Sequence, residues 1–138
     1  YTLGDGSDAF SMALARREND SDRAGGLRIP SVSPEVQAIL LSLMRAETRA
    51  GSATMAGLVV RHLGAEVPLL PNTHRQAGFM VLKAPEVPSV LVELGFLSHP
   101  LDEAALRRPD HRAKLARALN RAVLGWLQHT PSQALAAG

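Results

Sequence analysis

The chain contains no cysteine, which excludes disulfide staples, cysteine-ligated zinc fingers and thiol catalysis. Aromatic residues are only 4% of the 138, too few for a platform on which nucleic-acid bases would stack. No apolar run reaches the roughly 18 residues of a membrane span, and the opening Tyr1-Thr2-Leu3-Gly4 has no signal-peptide character. Excess charge is also small, +2 from 15 Lys and Arg against 13 Asp and Glu. Arg107, Arg108, Arg112, Lys114, Arg117 and Arg121 do cluster, but they alternate with Ala and Leu at helical spacing, the pattern of a solvated helix face. Neither a nucleic-acid partner nor a membrane span is therefore expected. Gly4-Asp5-Gly6 lacks the Gly-Lys-Ser/Thr that completes a phosphate loop, and neither Ser89 nor Ser98 sits in a Gly-x-Ser-x-Gly elbow.

What the chain does have is 46% apolar residues, enough at this length for one hydrophobic core. Ser7 and Asp8 can cap a first helix that carries Phe10, Ala13 and Leu14, continues through Arg16-Arg17-Glu18-Asn19 and ends by Gly25-Gly26. Leu27 to Val32 shows no usable period. Ser33-Pro34 then places a cap before a proline at the first helical position. Val36, Ile39, Leu40, Leu43 and Met44 follow at spacings of three and four, giving one buried stripe. Gly51 predicts a stop, and Ser52 a cap for a separate helix with Met55, Ala56, Val59, Val60 and Leu63, ended by Gly64. Ser98-His99-Pro100 starts another helix, with Leu101, Ala104, Ala105 and Leu106. Pro109 and Asp110 open the longest, whose stripe is Leu115, Leu119, Ala122, Val123 and Trp126. Residues 1–129 thus read as one domain and 130–138 as a flexible tail.

Between the helical halves the character changes. Phe79-Met80-Val81-Leu82 and Ser89-Val90-Leu91-Val92 are short β-formers joined by the turn-rich Lys83-Ala84-Pro85-Glu86-Val87-Pro88. Val90-Leu91-Val92 does not alternate with polar residues, which predicts an interior strand covered on both faces. The expected fold class is α/β, a mixed or mostly parallel sheet flanked by helices, and Tyr1-Thr2-Leu3-Gly4 reads like the tail of a strand cut from something longer.

Glu93 follows that apolar run directly. Burying an ionised carboxylate without partners costs several kcal/mol or more, so Glu93 must be paired, protonated, metal-associated or exposed at the strand end. Three readings stay open: a general acid/base, an ion pair with one of the arginines, or a carboxylate facing water. Strand ends bordering the crevice of an open α/β sheet are where catalytic groups collect.

The histidines offer less. His62, His111 and His129 read as surface or helix-end residues, and no pair has His-Glu-x-x-His or comparable ligand spacing. His74 and His99 are candidates to flank the same cleft as Glu93. Asn72 and Arg75 are able to bind an acidic substrate, but a solvated loop is the preferred reading of both.

The stretch Pro88-Ser89-Val90-Leu91-Val92-Glu93-Leu94-Gly95-Phe96-Leu97-Ser98-His99-Pro100 resembles the C-terminal part of the zinc-dependent N-acetylmuramoyl-L-alanine amidases of the bacterial division type. Arg75-Gln76-Ala77-Gly78-Phe79-Met80-Val81-Leu82, Arg17-Glu18-Asn19 and Gly25-Gly26 extend the resemblance. Tyr1-Thr2-Leu3 is similar to the end of the family strand that follows its last metal ligand. His99 stands where the family usually has asparagine. The family's His, Glu and His zinc ligands are expected upstream of Tyr1, and no residue here is assigned as a metal ligand.

This resemblance implies hydrolysis of the amide between N-acetylmuramic acid and L-alanine of peptidoglycan, with zinc as cofactor. Glu93 would take a proton from the zinc-bound water and return one to the leaving nitrogen. Residues 1–138 by themselves are expected to be inactive without the ligands. The alternative is a catalytically inactive amidase-like module that binds cell wall or a partner protein. The resemblance further implies a periplasmic or extracellular location, a role in cell division, and peptidoglycan or muropeptides and an activator protein as partners. The short joint from Leu27 to Pro34 leaves no room for the blocking helix of some relatives, so weak autoinhibition is expected.

Overall fold

The computed structural model describes residues 1–4, 9–24, 34–84 and 87–129. It is mostly helical, with a minor parallel sheet of two short strands, so the expected α/β class is realised only in part. The order is β1 (Thr2–Leu3), α1 (Ala9–Ala24), α2 (Pro34–Gly64), β2 (Gln76–Ala77), a 3₁₀ turn (Met80–Leu82), α3 (Pro100–Arg107) and α4 (Pro109–His129). Two compact units result, Tyr1–Ala53 with His74–Leu91, and Thr54–Thr73 with Val92–Gly138.

In the first unit β1 lies parallel to β2, with Thr2 opposite Gln76 and Leu3 opposite Ala77. A parallel pair needs a long crossover, here the segment that contains α1 and α2. Ala15, Ala77, Phe79 and Leu82 form the core, with Tyr1, Leu3, Leu14 and Leu91 against it. Phe79 is fully buried, and its ring meets that of Tyr1 edge-on at 5.0 Å. On α1 the buried residue is Ala15, while Ala13 is exposed. The caps expected at Ser7, Asp8 and Ser33, the joint before Pro34 and the tail fall outside the described residues.

Three expectations are corrected here. The strand at 79–82 is a 3₁₀ turn, in which Leu82 N donates to Phe79 O and Lys83 N to Met80 O. Asn19 Oδ1 takes the Met80 N–H, a donor that a strand would give to a neighbouring strand. Residues 89–92 form no strand, and 90–92 are half-buried rather than covered on both faces. Leu91 exchanges two backbone hydrogen bonds with Tyr1, at 2.7 and 3.0 Å, while Ser89 N donates to a side chain, Ser52 Oγ. The third correction concerns Gly51, which does not end a helix, since α2 continues from Pro34 to Gly64. A helical glycine costs only about 1 kcal/mol relative to alanine. Ser52 Oγ donates back to Thr48 O, four residues earlier, at 2.8 Å, a mid-helix bond and not a cap.

The second unit is built from the last turns of α2 with α3 and α4. Leu58, Val59, Leu63, Leu115, Ala118 and Ala122 are its buried core, and Met55, Val67, Val92, Leu106, Leu119 and Trp126 pack on it. The helix starts expected at Pro100 and Pro109 are where α3 and α4 begin. Val123, expected in the stripe, is 41% exposed.

Candidate functional site around Glu93

Val92 packs against the core of the second unit, and the next side chain, Glu93, is exposed. The carboxylate faces water, a placement that suits either a general acid/base or a solvated side chain. Among the described residues Glu93 has no hydrogen bond or ion pair, so an arginine does not claim it.

Beyond Glu93 the backbone is tightly specified. Gly95 has φ +153°, a conformation that side chains rarely adopt. A Cβ placed there would come within 3.2 Å of Asp102 Cβ and 3.4 Å of Leu106 Cδ1. Phe96 N donates to Asp102 Oδ2 at 2.9 Å, and His99 N donates to Phe96 O at 2.9 Å. His99 occupies the position before α3 without a capping bond from its side chain. Its Nδ1 lies 3.4 Å from Asp102 Oδ1 instead. Asp102 was not legible as a site residue, although an acid three positions after the residue that opens a helix is the spacing of a capping box.

The other candidates are dispersed. His74 Nε2 meets Thr2 Oγ1 at 2.9 Å in the first unit. Burial, and then the positive amino group of Tyr1, hold the His74 imidazole below its ordinary range. His74 therefore belongs to a different unit from Glu93 and His99. Asn72 adopts a left-handed φ of +55°, a turn conformation that asparagine tolerates. His129 Nδ1 approaches Gly125 O at 2.6 Å, a helix-end contact. Of the basic cluster, Arg107 pairs with Glu103, Arg121 pairs with Glu66, and Arg112 donates to the carbonyls of Leu106 and Arg107. This is the solvated helix face that the spacing predicts.

The expected zinc does not fit these residues. A protein zinc site needs three or four donors converging at about 2.0–2.3 Å on one point. Among the described residues no group of three or more His, Cys, Asp or Glu could hold a metal ion. His99 and Asp102 make a pair without a third donor, and His74 is engaged with Thr2. The zinc expectation is therefore corrected.

Residues 6–124 match the family described as N-acetylmuramoyl-L-alanine amidase. The chain belongs to this family of hydrolases. It is 31% identical over 127 residues to N-acetylmuramoyl-L-alanine amidase AmiA of Escherichia coli K12, covering 92% of this chain and 44% of that protein. It is 30% identical to AmiA of Salmonella typhimurium over the same shares, and 33% identical over 106 residues to AmiC of Neisseria meningitidis, covering 77% of this chain and 25% of the relative. The chain thus spans less than half the length of the curated relatives it matches. The family match includes Glu93, Asp102 and the whole of α3. Among the described residues no helix of this family member is long and apolar enough to cross a membrane.

Proposed function

We propose that this amidase-family chain is a cell-wall-binding module that engages the muropeptide part of peptidoglycan at the surface carrying Glu93, and that its own residues do not complete hydrolysis. One observation carries the reading: Glu93 is exposed and holds no partner among the described residues, which contain no group of three or more possible metal donors. An ionised carboxylate only accepts hydrogen bonds. Muropeptides supply the matching donors, sugar hydroxyls and amide N–H groups. Leu94 and Leu97, 43% and 74% exposed, offer apolar contact to the methyl groups of the same ligand. A module with this ligand works outside the cytoplasm, at the cell envelope.

The test is equilibrium binding of a soluble muropeptide to the chain and to its Glu93→Ala variant. Loss of a charge-assisted hydrogen bond should weaken binding by about tenfold or more. Absence of binding by the unaltered chain, or equal affinity in the variant, sinks the reading.

The family match at residues 6–124 favours a second reading, amide hydrolysis with Glu93 as the group that returns a proton to the leaving nitrogen. Assayed by release of peptide from purified peptidoglycan, that reading requires turnover. It also requires Glu93→Gln to reduce turnover by roughly 10²–10⁴, the usual contribution of general acid/base catalysis. Binding without turnover decides for the first reading.

A further inference from the structure

We propose that Asp102 is the positioning residue for Glu93, holding the backbone between Val92 and α3 so that the Glu93 carboxylate stays presented at one place on the surface. The inference rests on the reading of Glu93 as the ligand-facing carboxylate. It starts from two anchors on either side of that residue. On one side Val92 packs against the core of the second unit. On the other, Phe96 N is bound by Asp102 Oδ2 at 2.9 Å, and Gly95 sits so close to Asp102 and Leu106 that an added Cβ would meet both. Glu93 follows Val92 directly and is separated from Phe96 only by Leu94 and Gly95, which leaves its backbone little freedom.

The Asp102 carboxylate uses both of its oxygens. Oδ2 serves the Phe96 amide, and Oδ1 faces His99 Nδ1 at 3.4 Å. The His99 amide in turn donates to Phe96 O, so the turn from Phe96 to His99 is tied at both ends to the first turn of α3. Nothing comparable holds the Glu93 side chain itself, which has no partner among the described residues. Its placement therefore comes from its backbone, and the backbone is held from Asp102. Such indirect support is what a ligand-binding group on an irregular segment requires, since a carboxylate that wanders loses affinity to the entropy of ordering it.

The experiment measures two quantities on the full chain and on Asp102→Ala and Asp102→Asn. One is the backbone amide order parameter along residues 93–96, which needs no ligand. The other is the affinity for a soluble muropeptide. D102A removes the acceptor and should drop the order parameters from the rigid range near 0.85 to below about 0.6, with binding weakened about tenfold. D102N keeps an oxygen for the Phe96 N–H and should restore both to within about twofold of the unaltered chain. A rigid 93–96 segment in D102A overturns the inference. So does a D102N chain that binds as poorly as D102A while its segment stays rigid, because the charge would then touch the ligand directly. If D102A does not fold, Asp102→Glu replaces it. That variant keeps the charge and displaces the acceptor by one methylene, and the inference requires it to loosen the segment. If the unaltered chain fails to bind muropeptide, the functional reading falls, and the order parameters alone decide the role of Asp102.

Discussion

Asn19 and Met80 are separated by 61 residues in sequence and joined by a hydrogen bond, Met80 N donating to Asn19 Oδ1 at 2.5 Å. The same amide turns its Nδ2 toward Gly78 O, at 2.9 Å. One side chain on α1 therefore satisfies a donor and an acceptor on the irregular backbone after β2, on either side of the fully buried Phe79. Replacing it with alanine leaves both groups without that partner. A satisfied bond of this kind contributes roughly 0.5–1.5 kcal/mol, and an orphaned group costs about 1–3 kcal/mol. Asn19→Ala should therefore lower unfolding free energy by about 2–3 kcal/mol in a denaturant titration. Asn19→Asp should not rescue it, because a carboxylate oxygen would then face the Gly78 carbonyl. Stability unchanged in both variants would show that water replaces the amide at little cost.

Among the described residues Phe79 is the large side chain with no exposure at all, and its ring meets Tyr1 edge-on. Truncation of a buried phenylalanine to alanine costs about 3–5 kcal/mol through lost transfer energy and the cavity left behind. Phe79→Ala should accordingly shift the midpoint of denaturant unfolding more than any single exposed-helix substitution. Phe79→Leu, which fills most of the volume, should recover more than half of the loss. A small effect of the alanine variant would mean that the site collapses around the missing ring.

How far the sequence reveals these relationships depends on whether the determining contacts are local. Pro100 and Pro109 mark the starts of α3 and α4 because a proline at the first helical position acts on its own backbone. The stripe through Leu115, Leu119, Ala122 and Trp126 follows from helix geometry alone. Ala118, equally buried, escaped because a small residue gives a weak periodic signal, and Val123 lies at the shoulder of the stripe, where period does not separate buried from exposed. Gly51 reads as a break because propensity favours one, yet the contacts made from α2 outweigh a local penalty of about 1 kcal/mol. The β-formers at 79–82 fail as a strand for a non-local reason: the Met80 N–H is taken by Asn19. At the site, Glu93 stands out as a carboxylate after an apolar run, but its exposure depends on how the neighbouring Val92 packs. Asp102 carries a helix-start spacing, whereas its bond to Phe96 depends on the loop path.

Gly95 is where backbone conformation and side-chain space agree. Its φ of +153° disfavours any L side chain, and a new Cβ would meet Asp102 Cβ at 3.2 Å and Leu106 Cδ1 at 3.4 Å. Gly95→Ala should destabilise the chain by about 1–3 kcal/mol, the usual scale for a strained backbone position. The Phe96 amide, next in sequence, should lose hydrogen-exchange protection in the same variant. A glycine-to-alanine change that instead stabilised the chain, through lower entropy of its unfolded state, would show that the loop relaxes freely.

The last prediction concerns pH and rests on His74. Burial, reinforced by the positive amino group of Tyr1, lowers its pKa from 6.5. The fold thus prefers the neutral imidazole, while the unfolded chain protonates at the ordinary value. Between the lowered folded pKa and 6.5 the unfolded state binds more protons, so stability rises with pH across that window. The contribution is complete above about pH 6.5 and is lost as pH falls through the folded pKa. The hydrogen bond between Nε2 and Thr2 Oγ1 at 2.9 Å does not reverse this sign, because a hydroxyl both donates and accepts and can pair with either protonation state. Unfolding monitored at pH 7.5 and pH 5.5 should therefore give a lower midpoint at the acidic value. His74→Gln, which keeps a polar partner for Thr2 but does not titrate, should flatten the difference. A pH dependence of undiminished size in that variant would assign the effect to other groups.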